Sequence, residues 1–226
     1  MTLDEANTTM KNHAPRLGDS AYVELKERLT RGIYKPGDKL TVRAIAEKLA
    51  VSSTPARDAI NRLTSQNALV YAGPKTVIVP ILSRQELAEI TLIRIALEGL
   101  AAERAAAHCR PEDINKLLEI QYNINSALET SAYGDALWHN KEFHFLIYKM
   151  SGLPHLLELI EGQWLRIGPS FFGLYPEFAE ARYGVRNHEM AIDALNEKDG
   201  SALRAAIEND IRDGFRRLKV ALLCES

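Results

Sequence analysis

The sequence predicts a mainly α-helical protein, in which an N-terminal winged helix-turn-helix precedes an antiparallel all-helical bundle of about six helices. Residues 40–63 have the pattern of two short helices joined by a tight turn, and β-rich segments follow them. From Ser83 onward the apolar residues recur at helical spacing alone. The expected parts are, in chain order, a flexible tail (1–19), the winged helix-turn-helix (20–80), a linker (81–84) and the helical bundle (85–222).

The helix-turn-helix is predicted from apolar residues at helical spacing. A preceding helix ends near Gly32 and is followed by a turn at 34–37. The apolar stripes of the three helices are Tyr22, Leu25, Leu29 and Ile33, then Val42, Ile45, Ala46 and Leu49, then Ala56, Ala59, Ile60 and Leu63. Ala50 and Val51 form the tight turn. Ser52 is the expected N-cap, whose hydroxyl would accept a hydrogen bond from the next helix.

The start of the third helix is polar and is expected to face solvent. Its side chains are Ser52, Ser53, Thr54 and Arg57, beside backbone N–H groups that a helix leaves unpaired. This combination suits phosphates and base edges of DNA. Residues 69–71 and 76–79 flank a turn at 72–75 and complete a two-stranded wing. An ordinary helical hairpin with solvated polar ends is the alternative, and the wing favours DNA binding.

Composition and charge agree with a two-part protein. The chain is 46% hydrophobic, has no apolar run long enough to span a membrane and begins without an apolar signal core, so we expect a cytoplasmic protein. Cys109 and Cys224 form no metal-like or paired motif and are expected to be free thiols. Residues 1–80 carry 12 basic and 8 acidic side chains, and the remainder carries 16 and 22. This balance permits DNA binding and indicates a different role for the second part.

The bundle helices are predicted from start signals and apolar periodicity. Ser83 and Glu86 form a capping box that opens a helix to about residue 107. Pro111, followed by acidic residues, opens a second helix to about residue 130. Further helices are expected at about 135–150, 154–167, 176–196 and 201–223.

Polar residues on the apolar stripes of four bundle helices indicate a binding site. They are Arg94, Asn140, His144, His188 and Asp210, and Glu98 follows Arg94 by one helical turn. Burying such groups is costly unless they are hydrogen-bonded, paired or bound to a ligand, so we expect a cavity. Asn140 and His144, four residues apart, could hold one ion together. His188 and Asp210 would complete a set of N and O ligands for zinc, nickel or manganese. The alternative is a metal-free core with satisfied histidines and an internal salt bridge.

Residues 21–79 resemble the DNA-binding domain of the GntR family of bacterial transcription regulators. The residues that match the family's pattern are Gly32, Pro36, Gly37, Leu40, Arg43, Ile45, Ala46, Leu49, Val51, Ser52, Thr54, Pro55, Arg57, Ala59 and Leu63. With the polar helix start and the irregular wing tip, the expected DNA contacts are Arg43, Ser52, Ser53, Thr54, Arg57, Gly73 and Lys75. Ser53 stands where the family usually has arginine, which removes a bidentate guanine contact worth roughly 1–3 kcal/mol of discrimination.

Residues 83–218 resemble the FCD effector-binding domain of the FadR-type branch of that family. The matching pieces are Arg94 with Glu98, a D-x-x-F-H motif as Asn140 to His144, and a third motif with His188, Ala194 and Asp199. In many such domains an aspartate and three histidines hold a divalent metal, which binds a carboxylate effector together with an arginine. Asn140 stands in place of that aspartate and Asp210 in place of the third histidine, so the net ligand charge is unchanged.

The resemblance implies one divalent metal (zinc, nickel, manganese or magnesium), and a metal-free pocket is the alternative. The implied metal ligands are Asn140, His144, His188 and Asp210. The implied effector is a small carboxylate, whose expected contacts are Arg94, Glu98, Asn140, His144, His188 and Asp210. Further candidates are Arg166 and Arg186 for the carboxylate, and Trp138, Tyr148, Trp164, Phe171, Phe172 and Tyr183 for an apolar wall.

The expected protein is a homodimeric, ligand-responsive regulator that binds a palindromic operator in double-stranded DNA and has no membrane partner. Members of the family are more often repressors, so we expect a repressor. The effector would act through the linker near residues 80–83, by favouring one spacing of the two recognition helices. The rival is a metal-dependent enzyme that uses the helical pocket, although no H-E-x-x-H or G-x-S-x-G motif is present. A helical interaction module with a protein-binding first domain is a third alternative.

Overall fold

The computed structural model describes residues 17–174 and 183–224. Within these ranges it contains nine α-helices and three short β-strands. In chain order they are α1 (Leu17–Thr30), β1 (Lys39–Thr41), α2 (Val42–Lys48), α3 (Ser53–Ser65), β2 (Val70–Gly73), β3 (Thr76–Ile78), α4 (Arg84–Ala105), α5 (Pro111–Glu129), α6 (Tyr133–Met150), α7 (Pro154–Phe171), α8 (Tyr183–Asn196) and α9 (Gly200–Cys224). The predicted fold class, a winged helix-turn-helix followed by a helical bundle, is confirmed.

The first three helices pack around a small core of their own. α1 and α2 both pack against α3, and a tight turn connects α2 to α3. Buried residues from all three helices meet there, among them Leu25, Leu29, Ile45, Ile60 and Leu63. These positions belong to the predicted apolar stripes, whereas Ile33, predicted on the first stripe, follows α1 and is 49% exposed. Residues 17–19, which we expected in the N-terminal tail, belong to α1.

The turn between α2 and α3 follows the prediction in its backbone but not in its cap. Ala50 has a left-handed conformation (φ 51°), which reverses the chain. Ser52 is the N-cap of α3, yet its hydroxyl makes no capping hydrogen bond, so that part of the prediction is wrong. The usual donor three residues after an N-cap is missing because Pro55 has no N–H. α2 has the cap that the sequence analysis missed, since Thr41 Oγ1 accepts a hydrogen bond from Ala44 N at 3.1 Å.

The wing belongs to a three-stranded antiparallel sheet with the strand order β1-β3-β2. β1 was not predicted, because a three-residue strand is too short to show an alternating pattern. It pairs Leu40 with Val77, and both side chains are buried in the first core. β2 pairs with β3 through a register shift between Tyr71 and Gly73, so the wing tip is irregular.

The bundle helices begin where the sequence signals predict. Glu86 N donates to Ser83 Oγ (3.2 Å) and Ser83 N donates to Glu86 Oε2 (2.8 Å), which completes the capping box of α4. Pro111 lies in the first turn of α5. α4 packs along α9, α5 along α6, and α8 on α9. Among the described residues, no helix combines the length and apolar character that a membrane crossing requires.

α7 is longer than predicted. It was expected to end near residue 167, but it continues through Pro169 to Phe171. Gly168 and Pro169 are both buried, so packing holds the helix together across a residue that lacks a backbone donor. Residues 175–182, the start of the helix predicted from 176, lie outside the described residues.

α7 also joins the two parts of the chain. Its residue Leu165 is buried in the core formed by α1, α2 and α3. Gly32, just after α1, has a left-handed backbone (φ +66°), and a Cβ there would lie 2.5 Å from Cβ of Phe172. Arg31 forms a salt bridge with Asp135 at the start of α6. The winged helix-turn-helix is therefore packed directly on the bundle.

Replacing Gly32 with alanine is expected to lower the free energy of unfolding by about 1–3 kcal/mol, because the left-handed backbone disfavours alanine and its methyl group would overlap Phe172. Urea denaturation of the full chain measures this change. Gly162→Ala is the matched control, since the new Cβ would meet no atom within 4 Å. Alanine in the middle of α7 should stabilise by about 0.5–1 kcal/mol. Equal unfolding midpoints for Gly32→Ala and the wild type would contradict this close packing.

Candidate metal centre and DNA-reading surface

The residues predicted to contact DNA lie at the surface of the winged helix-turn-helix. Arg43 on α2, Arg57 on α3 and Lys75 in the wing turn are exposed, while Gly73 is half-buried. Three short hydroxyl side chains at the start of α3 are also exposed, namely Ser52, Ser53 and Thr54. We call these seven residues the DNA-reading surface. The opposite side of α3 is buried in the first core, which holds this helix in place.

A buried ion pair lies at the centre of the bundle. Arg94 and Glu98 are one turn apart on α4 and are 3% and 0% exposed. Arg94 Nε donates to Glu98 Oε1 at 2.7 Å, and Nη2 donates to Oε2 at 3.3 Å. Burial disfavours the charge of Arg94, but the adjacent carboxylate outweighs this effect and raises the pKa of Arg94. The guanidinium therefore stays charged inside the bundle.

Tyr148 links this ion pair to the histidines. Its hydroxyl donates to Glu98 Oε2 at 2.6 Å, and it lies 3.0 Å from His144 Nδ1. Burial and the neighbouring Glu98 carboxylate raise the pKa of Tyr148 well above its ordinary value, so the phenol keeps its proton. Because that proton goes to Glu98, the phenol oxygen is left to accept a hydrogen bond from His144 Nδ1.

The other ring nitrogen of His144 faces His188 and Asp210. His144 Nε2 lies 3.2 Å from Asp210 Oδ2 and 3.3 Å from His188 Nε2. One ligand atom from each residue lies within 4.8 Å of the other two. Both histidines are buried, and the side chain of Asp210 is 15% exposed. Three helices, α6, α8 and α9, therefore bring three potential metal ligands to one point.

The hydrogen-bond pattern assigns the protons of both imidazoles. His188 Nδ1 lies 2.6 Å from Gln121 Oε1 and must donate to it. Burial, followed by the proximity of His144, lowers the pKa of His188 to about 3, so this ring is neutral and its Nε2 carries a lone pair. Because Nδ1 of His144 faces the Tyr148 hydroxyl, Nε2 is the nitrogen of that ring that faces Asp210 and His188.

Lone pairs that converge in this way need a positive charge between them. Burial raises the pKa of Asp210, but its hydrogen bond and charge interaction with His144 outweigh burial and lower the pKa, so Asp210 contributes a carboxylate oxygen to the cluster. A proton on His144 Nε2 can bridge one such contact, whereas a divalent cation can bridge all three. Two imidazole nitrogens and a carboxylate oxygen are ordinary ligands of zinc, nickel and manganese. The donor set present therefore fits a metal.

A small cavity adjoins this cluster. Its volume is about 30 Å³, and it is lined by Arg94, Leu137, Asn140, Trp164, Phe171, Leu174, Asp210, Ile211 and Gly214. Asp210 therefore belongs to both the cavity and the cluster, and Asn140 lies in the cavity wall. Arg94 faces the cavity, and its guanidinium carbon is 4.8 Å from the centre of the Trp164 ring.

Several predicted residues lie elsewhere. Glu98 is not in the cavity wall but is bonded to Arg94 and Tyr148. Asp199 caps α9, where its Oδ1 accepts a hydrogen bond from Ala202 N at 2.9 Å. Of the predicted aromatic residues, Trp164 and Phe171 line the cavity, whereas Trp138 and Phe172 line two other surface pockets. The side chain of Tyr183 lies outside the described residues.

Gln121 is a site residue that the sequence analysis missed. It shares the buried face of α5 with Leu117, Ile124 and Leu128 and is 7% exposed. Its amide nitrogen donates to Asn125 Oδ1 at 3.1 Å, which directs the amide oxygen to His188. A glutamine on an apolar stripe was the signal that could have identified it.

Comparison with known proteins agrees with this architecture. Residues 17–77 match the bacterial regulatory proteins of the gntR family, and residues 89–213 match the FCD domain. The chain therefore belongs to the GntR family of transcription regulators, in the group that carries an FCD domain. It is a DNA-binding transcription regulator, and the enzyme alternative is wrong.

Individual relatives support the same class. The chain is 36% identical over 183 residues to the HTH-type transcriptional regulator McbR of Escherichia coli (strain K12), covering 80% of this chain and 83% of that protein. It is 28% identical over 211 residues to the Exu regulon transcriptional regulator of the same strain, covering 85% and 80%. The solved structure of E. coli McbR/YncC matches with a TM-score of 0.85 at 31% identity, over 92% of this chain and 99% of that one. A GntR regulator from Rhodococcus sp. RHA1, at 16% identity and a TM-score of 0.74 over 90% and 98%, shares the fold.

Proposed function

We propose that this regulator is a homodimeric, cytoplasmic repressor that binds a palindromic operator and responds to a small carboxylate held in its FCD domain with one divalent metal. The observation that carries the proposal is the convergence of His144, His188 and Asp210 beside a cavity that contains Arg94. Membership of a family of DNA-binding, typically dimeric regulators supports the operator and the dimer.

The operator would be read by the DNA-reading surface. Arg43, Arg57 and Lys75 offer positive charge to phosphates or base edges, and all three are exposed. The serines and threonine at the start of α3 offer hydroxyl groups beside free backbone N–H groups. Two such surfaces in a dimer would meet two half-sites of a palindrome.

The metal would be held by His144, His188 and Asp210, with Asn140 in the adjoining wall as a further oxygen ligand. Two imidazoles among the ligands favour zinc, nickel or manganese over magnesium, which prefers oxygen. When bound, the cation would supply positive charge that attracts and orients an anionic group. Gln121 and Tyr148 keep the two Nδ1 atoms protonated, so both Nε2 atoms remain available as ligands.

Arg94 would bind the carboxylate of the effector. Glu98 accepts from Nε and Nη2 on one side of the guanidinium, which holds the group in place and leaves the N–H groups of Nη1 for a ligand. The rings of Trp164 and Phe171, whose centres lie 4.8 and 5.7 Å from the guanidinium carbon, would contact an apolar part of the effector.

Operator binding tests the first half of the proposal. Fluorescence anisotropy with the DNA upstream of the chain's own gene, against a scrambled duplex and across a salt series, should show tight, selective and salt-dependent binding. Arg57→Ala is expected to weaken selective binding by about 1–3 kcal/mol, because it removes a contact to a base or phosphate. Arg104→Ala, an exposed arginine on α4, is the matched control and should bind like the wild type. Arg57→Ala with full affinity and selectivity would contradict this role for the start of α3.

A further inference from the structure

The cavity beside Arg94 is too small for the effector that the proposed function requires. Its volume of about 30 Å³ leaves room for about two water molecules. Pockets that bind small molecules usually enclose roughly 300 Å³ or more. A carboxylate with any carbon chain can therefore enter only if part of the wall moves outward.

Most of the wall is held by buried polar bonds. Glu98 on α4, which holds Arg94, accepts a hydrogen bond from Tyr148 on α6, and Asp210 on α9 contacts His144 on α6. α4 and α9 pack along each other for much of their length. Moving any of these helices would break charge-assisted hydrogen bonds inside the bundle, which is costly.

α7 provides the part of the wall that these bonds do not hold. It contributes Trp164 and Phe171 to the cavity wall, and the centres of their rings lie 6.5 Å apart. Pro169 lies between these two residues and donates no hydrogen bond to the carbonyl of Leu165. A helix bends most readily at such a residue. The C-terminal end of α7 is therefore the segment that can move away from the cavity.

Residues on both sides of Pro169 pack against the DNA-binding part. Leu165 is 3% exposed within the core of α1, α2 and α3. A Cβ on Gly168 would lie 3.9 Å from Cα of Thr30, at the end of α1, and Phe172 packs on Gly32. Glu161 forms a salt bridge with Lys26 of α1. α1 in turn lies against α3, whose N-terminal end belongs to the DNA-reading surface.

We propose that α7 is the element that couples the effector pocket to the recognition helix α3. A ligand beside Arg94 pushes Phe171 outward, α7 bends at Pro169, and the contact of Phe172 with Gly32 carries the displacement to the end of α1 and so to α3. This inference rests on the proposed function, which assigns the cavity beside Arg94 as the effector site. It replaces the linker at 80–83 with α7 as the route of coupling.

Two variants change α7 in opposite ways without any ligand, one by displacing its C-terminal end and the other by stiffening the helix. Gly214→Leu places a side chain in the cavity opposite Phe171, because Cβ at this position would lie 3.4 Å from Phe171 Cε1. Gly214→Ala, whose methyl group fits at that distance, is the matched control. Pro169→Ala restores a backbone donor inside α7 and removes the residue least favourable in a helix, so it should stiffen the helix and still fold.

Hydrogen–deuterium exchange of the full chain, followed by mass spectrometry, measures the amide exchange rates of α7, α1 and α5 in these variants. In Gly214→Leu, peptides from α7 and from α1 should both exchange at least about fivefold faster than in Gly214→Ala, whereas α5 should be unchanged. In Pro169→Ala, the same two helices should both exchange more slowly. Phe172→Ala combined with Gly214→Leu should keep α7 fast and return α1 towards the wild-type rate.

The proposal fails if α7 responds in either variant while α1 does not. It also fails if α7 itself is unchanged in Gly214→Leu, since another wall would then accommodate the side chain. If Gly214→Leu also speeds exchange in α5, the variant has lost its fold. Pro169→Ala then tests the proposal alone, which requires slower exchange in both α7 and α1. Neither DNA nor metal is present in these samples, so a failed operator titration would leave this outcome unaffected.

Discussion

Replacing His188 with alanine is expected to weaken Zn²⁺ binding by more than 100-fold. Removal of a group that only orients a metal ligand typically costs 10- to 100-fold, and His188 is proposed as a ligand itself. The imidazole is buried, and its Nε2 lies 3.3 Å from Nε2 of His144. Calorimetric titration of the metal-stripped chain with Zn²⁺ near neutral pH measures the change. Repeating it with Ni²⁺ and Mn²⁺ tests the ligand preference.

The matched control is His155→Ala, because the side chain of His155 is 95% exposed at the start of α7. It should bind Zn²⁺ with wild-type affinity. Gln121→Leu should weaken binding by about 10- to 100-fold, since Nδ1 of His188 would lose the acceptor that holds its tautomer. A wild-type chain that binds none of the three cations would favour the metal-free pocket, in which a proton joins His144 to Asp210. Equal Zn²⁺ affinity in His188→Ala and the wild type would show that the metal binds elsewhere.

Replacing Glu98 with glutamine is expected to lower the free energy of unfolding by about 3–5 kcal/mol, because it removes the carboxylate that is hydrogen-bonded to the buried guanidinium of Arg94. The substitution preserves the shape of the side chain, so no cavity forms. Glu98 is fully buried, which means that solvent cannot take over the role of the carboxylate. Urea denaturation followed by far-UV circular dichroism measures the loss.

Glu103→Gln is the matched control on the same helix. Glu103 pairs with Arg204 at 2.8 Å, but both side chains are more than 40% exposed. Such a surface pair contributes about 0–1 kcal/mol, so the variant should unfold close to the wild type. If both variants lose the same small amount, the Arg94–Glu98 pair would be a solvated salt bridge and the description of the site would be wrong.

The winged helix-turn-helix could be predicted almost completely from the sequence. Its stripes, its turn at Ala50 and the start of α3 are local features, set by residues close to one another in the chain. Elsewhere in the chain as well, a prediction failed where another effect outweighed a local signal. Ser52 has the residue type of a cap, but Pro55 takes away its donor. Pro169 resembles a helix end, but tertiary packing continues α7 past it.

The candidate site was predicted in part. Periodicity placed Arg94, His144, His188 and Asp210 on buried faces of four helices, and the structure brings three of them into one cluster with Arg94 nearby. Gln121 and the role of Tyr148 were missed, because each is defined by a hydrogen bond to a residue at least 50 positions away along the chain. Glu98 was predicted as an effector contact, but it lies outside the cavity wall and is bonded to Arg94 and Tyr148.

By itself, the sequence determined the fold class, the order of the helices and the family of this regulator, because helical periodicity, end signals and motif spacing depend on neighbouring residues. Only the tertiary structure decided which nitrogen of each imidazole faces the cluster, how small the cavity is, and that α7 packs on both the pocket and the DNA-binding core. These properties depend on helix packing angles and on the distances between distant side chains. No pattern along the chain encodes those distances directly.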